Sequence, residues 1–334
     1  MNSHLLITGA TGLVGSGYLN LRRQADPALR ITAVTRQAIS IPGADRTIVH
    51  DLRDPLPLPA DVTEIFHAAA DIRFTLPLDE ARAANVDSTR HLLDAARRLP
   101  RLSHFVQVSS VYAAGRTGGT LRPERWTDEA GFVSTYEQTK FESEELVFEA
   151  MPDLPATILR LSSVFGDAST GLVRQFNHTH QLLRFFPRSF LPIAPGDHQA
   201  CIDLICSSWL HDQLRIAFRP GHVYHLCAGP ERSLPIHDLM EITLSLLPQR
   251  PLKVPRLVSL EEYERYVAEV NGPSANPADR LLREMLRALN SFLPHLGIPQ
   301  HFVPSPEVTP HPEPREFVRR VVEFGLRSNW GRTA

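Results

Sequence analysis

Tyr136 and Lys140 stand four residues apart in Ser134-Thr-Tyr-Glu-Gln-Thr-Lys140, a spacing that puts two side chains on one face of a helix. A phenol held in this way can give its proton to an oxygen that is gaining negative charge. A nearby ammonium favours the phenolate and is expected to lower a tyrosine pKa that ordinarily lies near ~10. The lysine is a selective choice, because the chain has two lysines, Lys140 and Lys253, against 33 arginines. Its compact head suits a crowded, partly desolvated site better than a broad guanidinium does. Glu137, Glu142, Glu144 and Glu145 around the pair support the competing reading of a solvated helix face.

Such a pair needs a partner cofactor, and the amino end supplies a motif for one. His4-Leu-Leu-Ile-Thr8 reads as a short buried strand that runs into Gly9-Ala-Thr11-Gly12-Leu13-Val14-Gly15, followed by a helical stretch to Ala25. Gly9 permits the tight turn, Gly12 lets backbone approach a pyrophosphate, and Gly15 lets the helix pack on the sheet. The helix amino end offers N–H groups and a positive dipole to the phosphates. After the next strand, Ile31-Thr-Ala-Val-Thr-Arg36, an NAD-preferring site would present an acidic residue. Arg36 stands there instead and can pair with a 2′-phosphate, so NADP(H) is expected ahead of NAD(H). Asp51, after the strand Thr47–His50, is a candidate acceptor for the adenine amino group.

The elements that must position these groups alternate along the chain. Strands are expected at about 3–8, 30–35, 46–50, 62–69, 103–110, 156–160 and 222–227, with helices near 12–25, 79–98, 134–150, 170–186 and 203–218. This is an α/β pattern, a Rossmann-type doubly wound parallel sheet. Residues 1–160 would form the cofactor-binding core. Residues 161–334 would form mainly a smaller, partly helical substrate-binding region, with some elements returning to the core. The strand Leu102–Ser110 delivers Ser109 and Ser110 to a carboxyl end, where ligands of such sheets bind, so Ser110 is placed to meet Tyr136.

Beyond residue 160 the stretch Phe185-Phe-Pro-Arg-Ser-Phe-Leu-Pro-Ile-Ala-Pro195 is apolar and broken by prolines, which suits a substrate wall or lid over residues 183–195, the alternative being side chains that complete the core or an oligomer interface. Leu281 to Leu293 is apolar at helical spacing, and a final helix is expected over Arg315 to Leu326. A formal net charge of −2, with no polybasic run, gives no electrostatic reason for nucleic acid. No apolar run is long enough to span a bilayer and no leader pattern opens the chain, so a cytoplasmic protein is expected. Cys201, Cys206 and Cys227 have neither the number nor the spacing of a metal site, and no metal is expected.

Taken together, Thr8-Gly9-Ala-Thr-Gly12-Leu-Val-Gly15, Asp51-Leu52, His67-Ala-Ala-Ala70, Asn85-Val, Ser109-Ser110, Tyr136-x-x-x-Lys140 and Leu159-Arg-Leu-Ser-Ser-Val-Phe-Gly166 resemble the extended short-chain dehydrogenase/reductases over roughly residues 3–230. The resemblance implies that Ser110, Tyr136 and Lys140 are catalytic. It also implies that Ala68, Ala69, Ala70 and Asn85 line or support the cofactor site, and that Leu161 and Ser162 lie near the nicotinamide. Within the family, residues 67–74, 136–144 and 223–229 look most like the thioester reductase and fatty acyl-CoA reductase branch. That branch implies NADPH-dependent reduction of a carbonyl or acyl thioester on a largely apolar substrate. The alternatives are a sugar-nucleotide epimerase or dehydratase, which would usually carry Asn where Ser163 stands, and a non-catalytic NADP-binding sensor or scaffold.

Overall fold

The computed structural model describes residues 3–185, 191–197, 199–247, 255–272 and 280–331. Its centre is a seven-stranded sheet of β1 (His4–Thr8), β2 (Arg30–Thr35), β3 (Arg46–Val49), β4 (Glu64–His67), β5 (His104–Ser110), β6 (Ala156–Leu161) and β7 (Val223–Leu226). Their order across the sheet is β7-β6-β5-β4-β1-β2-β3. All six neighbouring pairs are parallel, and parallel strands must be covered on both faces. The sequence answers that demand. Every residue of β1 and β6 is buried, and alternate side chains feed opposite layers. Leu5 and Ile7 enter one core while Leu6 enters the other.

The chain leaves β1 toward β2 on one side and later returns through β4 on the other, so the carboxyl ends of β1 and β4 flank a switch in winding direction, where a crevice opens. The register aligns Thr8 with His67 at that edge. The helix Leu13–Ala25 follows β1, and Thr135–Ala150 packs behind β5 and β6. The expected helix over 79–98 is three pieces: Leu78–Arg82, a π-turn over Ala83–Asp87, and Ser88–Ala96.

Two helices are shorter than their apolar spacing suggests. The expected 170–186 helix starts only at His178, since 170–177 form turns and loop from which Gln175 and Asn177 reach the crevice, and the 203–218 helix is confined to Ser207–Gln213. The later chain adds short strand pairs, among them Ser163–Gly166 with Leu204–Cys206 and Ile193–Pro195 with Arg256–Val258. It also adds the helices Ile236–Ser245, Leu260–Asn271, Arg280–Leu289 and Pro314–Arg327. Among the described residues no helix is long and apolar enough to cross a membrane.

Candidate active site

A cleft of about 770 Å³ opens at the carboxyl ends of the central strands. Its floor is the glycine turn. Gly9 has φ +70°, and a Cβ there would stand 2.6 Å from the Ala68 carbonyl carbon; a Cβ on Gly15 would stand 2.2 Å from Gly9 O. Side chains at either position are excluded by neighbouring backbone, which is how the turn, the Ala68–Ala70 strand exit and the helix come together. The helix Leu13–Ala25 has Gly12 as N-cap, with no side-chain cap and no acidic residue in its first turn. Its leading amides and positive dipole are thus left for an anion. Thr8 is buried beneath the turn, hydrogen-bonded to His67 Nδ1 at 2.7 Å and accepting from Ala69 N at 3.1 Å. Burial lowers the His67 pKa to about 3, so the imidazole is a neutral brace. This cradle fits a dinucleotide pyrophosphate.

At the outer end the cleft is lined by Arg36, Gln37, His50, Asp51, Leu52 and Arg53. Arg36 is exposed and has no hydrogen bond or ion pair among the described residues. Asp51 is already engaged: Arg53 Nη2 donates to it at 2.7 Å and Arg53 N at 3.0 Å, holding its carboxyl down at about 2. Arg53 is a second guanidinium at this end that spacing from β2 does not reveal.

Ser109, Ser110, Tyr136 and Lys140 meet in the middle of the cleft with Leu161 and Ser162. The capped helix start brings Tyr136 and Lys140 in: Ser134 is the N-cap and Glu137 the third helical residue. Ser110 is likewise an N-cap, accepting from Tyr112 N at 3.2 Å. Lys140 Nζ donates to Val108 O at 2.8 Å, and burial lowers its pKa to about 8 against the pull of Glu144. The expected lowering of the tyrosine does not occur. Burial pushes the Tyr136 hydroxyl up to about 12, outweighing the Ser110 hydroxyl, which lowers it. Desolvation penalises phenolate and ammonium alike. The Ser109 hydroxyl is buried without a partner, an unmet polar group beside the place a ligand would occupy.

Asn85 does not line the cleft. It sits in the π-turn, where Oδ1 accepts from Asp71 N at 2.7 Å and Nδ2 donates to Asp71 O and to Thr139 Oγ1, each at 3.0 Å. It ties the loop after β4 to the helix of Tyr136. Beyond Tyr136 the wall is aromatic: Phe74 stacks on Tyr136 at 4.9 Å and on His178 at 3.6 Å, with Tyr112 at 6.1 Å and Phe292 at 6.4 Å. Burial lowers His178 to about 4, so it is a neutral ring at ordinary pH. Of the expected wall over 183–195, Leu183, Leu191 and Ile193 are core residues that do not line the cleft, while the Phe185 side chain, Phe186 and Phe190 lie outside the described residues. Phe292 belongs to the apolar stretch Leu281–Leu293, whose spacing marks it for burial but not for this cleft until the fold places it. Gln175, Asn177 and Thr179 also line the cleft.

A family model described as male sterility protein, of the NAD-binding type, matches residues 54–212. The chain is 22% identical to a putative fatty acyl-CoA reductase of Drosophila melanogaster, covering 75% of this chain and 59% of that protein. It is 31% identical to a hybrid PKS-NRPS synthetase of an Acremonium species over 49% of this chain and 4% of the synthetase. The chain thus spans under two thirds of these relatives' lengths. Among solved structures, the terminal R domain of the myxalamid PKS-NRPS pathway shares the fold with a TM-score of 0.76 at 19% identity, covering 98% of this chain and 92% of that domain. MoeE5 in complex with UDP-glucose and NAD gives 0.65 at 19% identity, covering 98% and 100%.

Proposed function

We propose that this chain, which is similar to the extended short-chain dehydrogenase/reductases of the fatty acyl-CoA reductase and thioester reductase branch, is an NADPH-dependent reductase. Its substrate would be a carbonyl compound or acyl thioester with a largely apolar body. The observation that carries this reading is the placement of Ser110, Tyr136 and Lys140 between the glycine turn and the aromatic wall of Phe74, Tyr112, His178 and Phe292. A polar sugar diphosphate would find fewer partners along that wall than an acyl chain or ring.

The glycine turn and the first amides of Leu13–Ala25 would hold the pyrophosphate, Arg36 and Arg53 the 2′-phosphate, and Ser109 and Lys140 the nicotinamide end. When bound, the nicotinamide supplies the hydride that reduces the carbonyl carbon. Ser110 donates a hydrogen bond to the substrate oxygen, and Tyr136 gives that oxygen its proton as negative charge grows. A phenol held up at about 12 stays protonated at neutral pH, which suits the reducing direction. With a thioester, the hemithioacetal so formed loses its thiol by C–S cleavage and leaves the aldehyde.

The test is loss of NADPH absorbance on a panel of acyl-CoA esters, apolar aldehydes and nucleotide sugars, with Kd for NADPH and NADH in wild type and Arg36→Ala. Turnover of the apolar members and a preference for NADPH that shrinks in Arg36→Ala are expected. Turnover of nucleotide sugars alone would favour an epimerase-type enzyme, and tight NADPH binding without any turnover would favour a sensor.

A further inference from the structure

Glu137, the residue after Tyr136, forms a buried pair with His295 of the Leu293–Gly297 turn. Nε2 and Oε1 are 2.6 Å apart, and the side chains are 4% and 0% exposed. Glu137 has a local task, since Ser134 Oγ donates to Oε1 at 2.8 Å and Val133 N to Oε2 at 2.9 Å, closing the helix start. That cap needs no histidine. His295 comes from 158 residues away and leaves its Nδ1 buried without a hydrogen-bond partner, a cost that the Nε2 bond to Glu137 must offset. The bond ties together two distant stretches of chain that each contribute an aromatic residue to the cleft wall. Tyr136 precedes Glu137, Phe292 lies one turn before His295, and the Tyr112 ring stands 5.2 Å from His295 and 6.1 Å from Phe292.

Resting on the reductase reading, we propose that His295 is a positioning residue: its bond to Glu137 clamps the turn carrying Phe292 against Tyr112 and the Tyr136 helix. The clamp thereby sets how an extended apolar substrate lies relative to the Tyr136 hydroxyl. It acts on the far part of the substrate and not on the cofactor. A long acyl chain that reaches Phe292 depends on it, whereas a short one does not.

The test compares kcat/KM for decanoyl-CoA and butyryl-CoA with NADPH in wild type, His295→Leu, His295→Gln and Phe292→Ala. His295→Leu is expected to lower the long-to-short ratio about tenfold or more, chiefly through KM for the long substrate, with NADPH Kd unchanged. His295→Gln, which keeps a side-chain N–H donor, should recover most of the ratio. Phe292→Ala, which leaves the pair intact, should lose it as His295→Leu does. An unchanged ratio in either of the variants expected to lose it, or no rescue by glutamine, overturns the clamp; so does a loss that strikes both substrates equally.

A second measurement does not need turnover. Amide hydrogen exchange over residues 111–115 and 292–297 should quicken about tenfold in His295→Leu and return toward wild type in His295→Gln. If neither thioester is reduced by wild type, the reductase reading on thioesters fails, and the exchange result decides the clamp. Faster exchange confined to 292–297 would reduce His295 to a local structural contact.

Discussion

Tyr136 and Lys140 behave differently as a buried pair than as a pair in sequence. Burial raises the phenol to about 12 and lowers the ammonium to about 8, so at neutral pH both remain protonated. Tyr136→Phe removes only the transferable proton and keeps the ring against Phe74. Reductase turnover is expected to fall by about 10² to 10⁴ while NADPH Kd stays near wild type, read by single-turnover kinetics and a binding titration. The Lys140 value supplies a pH test. Reduction should decline above a pH of about 8, where the ammonium is lost while Tyr136 is still protonated. The stability consequence has the opposite slope. Between about 8 in the fold and the ordinary 10.5, the unfolded chain holds more of this proton, so this site's contribution to stability rises with pH. The Tm of wild type relative to Lys140→Met should therefore climb across that window, and a flat or falling difference would contradict the buried, depressed lysine.

Among the elements, the glycine turn is the one with least tolerance. A Cβ at Gly9 would meet Ala68 and Ala69 backbone at 2.6 Å with φ at +70°, and backbone cannot yield as a flexible side chain can. Gly9→Ala is expected to cost at least about 1–3 kcal/mol of stability from the left-handed conformation alone. It should also weaken dinucleotide binding more than tenfold, measured by denaturant unfolding and a fluorescence titration. The helix Thr135–Ala150 is anchored at its far side by a different device. Arg160 of β6, fully buried, donates to Glu144 at 2.7 Å and lies 3.3 Å from the Trp126 ring centroid. Breaking one partner of such a pair strands a buried charge. That ion pair sits one turn from Lys140 and fixes the helix face on which Tyr136 and Lys140 share the cleft.

At the scale of the molecule, the early and late parts of the chain share one core. Leu159 and Leu161 of β6 belong to the same buried cluster as Leu226, Phe292, Val318 and Val321. β6 also pairs with β7 through Tyr224 and Leu159. A fragment ending at residue 160 would expose one side of β6 and uncover one face of the sheet. It is expected to lack a cooperative thermal transition and near-ultraviolet dichroism, or to aggregate, since an open hydrophobic edge invites pairing. A sharp transition in that fragment would show that the cofactor-binding half folds by itself.

The central sheet was legible because its signals are local. β1, β2, β5 and β6 are apolar runs bounded by turn residues, and Gly9, Gly12 and Gly15 mark the strand-to-helix turn whatever follows it. Likewise, a separation of four residues puts Tyr136 and Lys140 on one helix face without knowledge of the rest. Three things were decided only by tertiary structure. The Tyr136 pKa is set by desolvation, which raises it against the pull of the Ser110 hydroxyl, and the lowering expected from Lys140 does not occur. The apolar segment near 190 went partly into the core, because hydrophobicity specifies burial and not which surface does the burying. The wall beside Tyr136 is assembled from Phe74, Tyr112, His178 and Phe292, residues from four separate stretches whose meeting depends on how the sheet, its loops and the late helices pack. Spacing along the chain carries information over one or two turns; contacts between residues more than a hundred positions apart, such as Glu137 and His295, exist only once the core has closed.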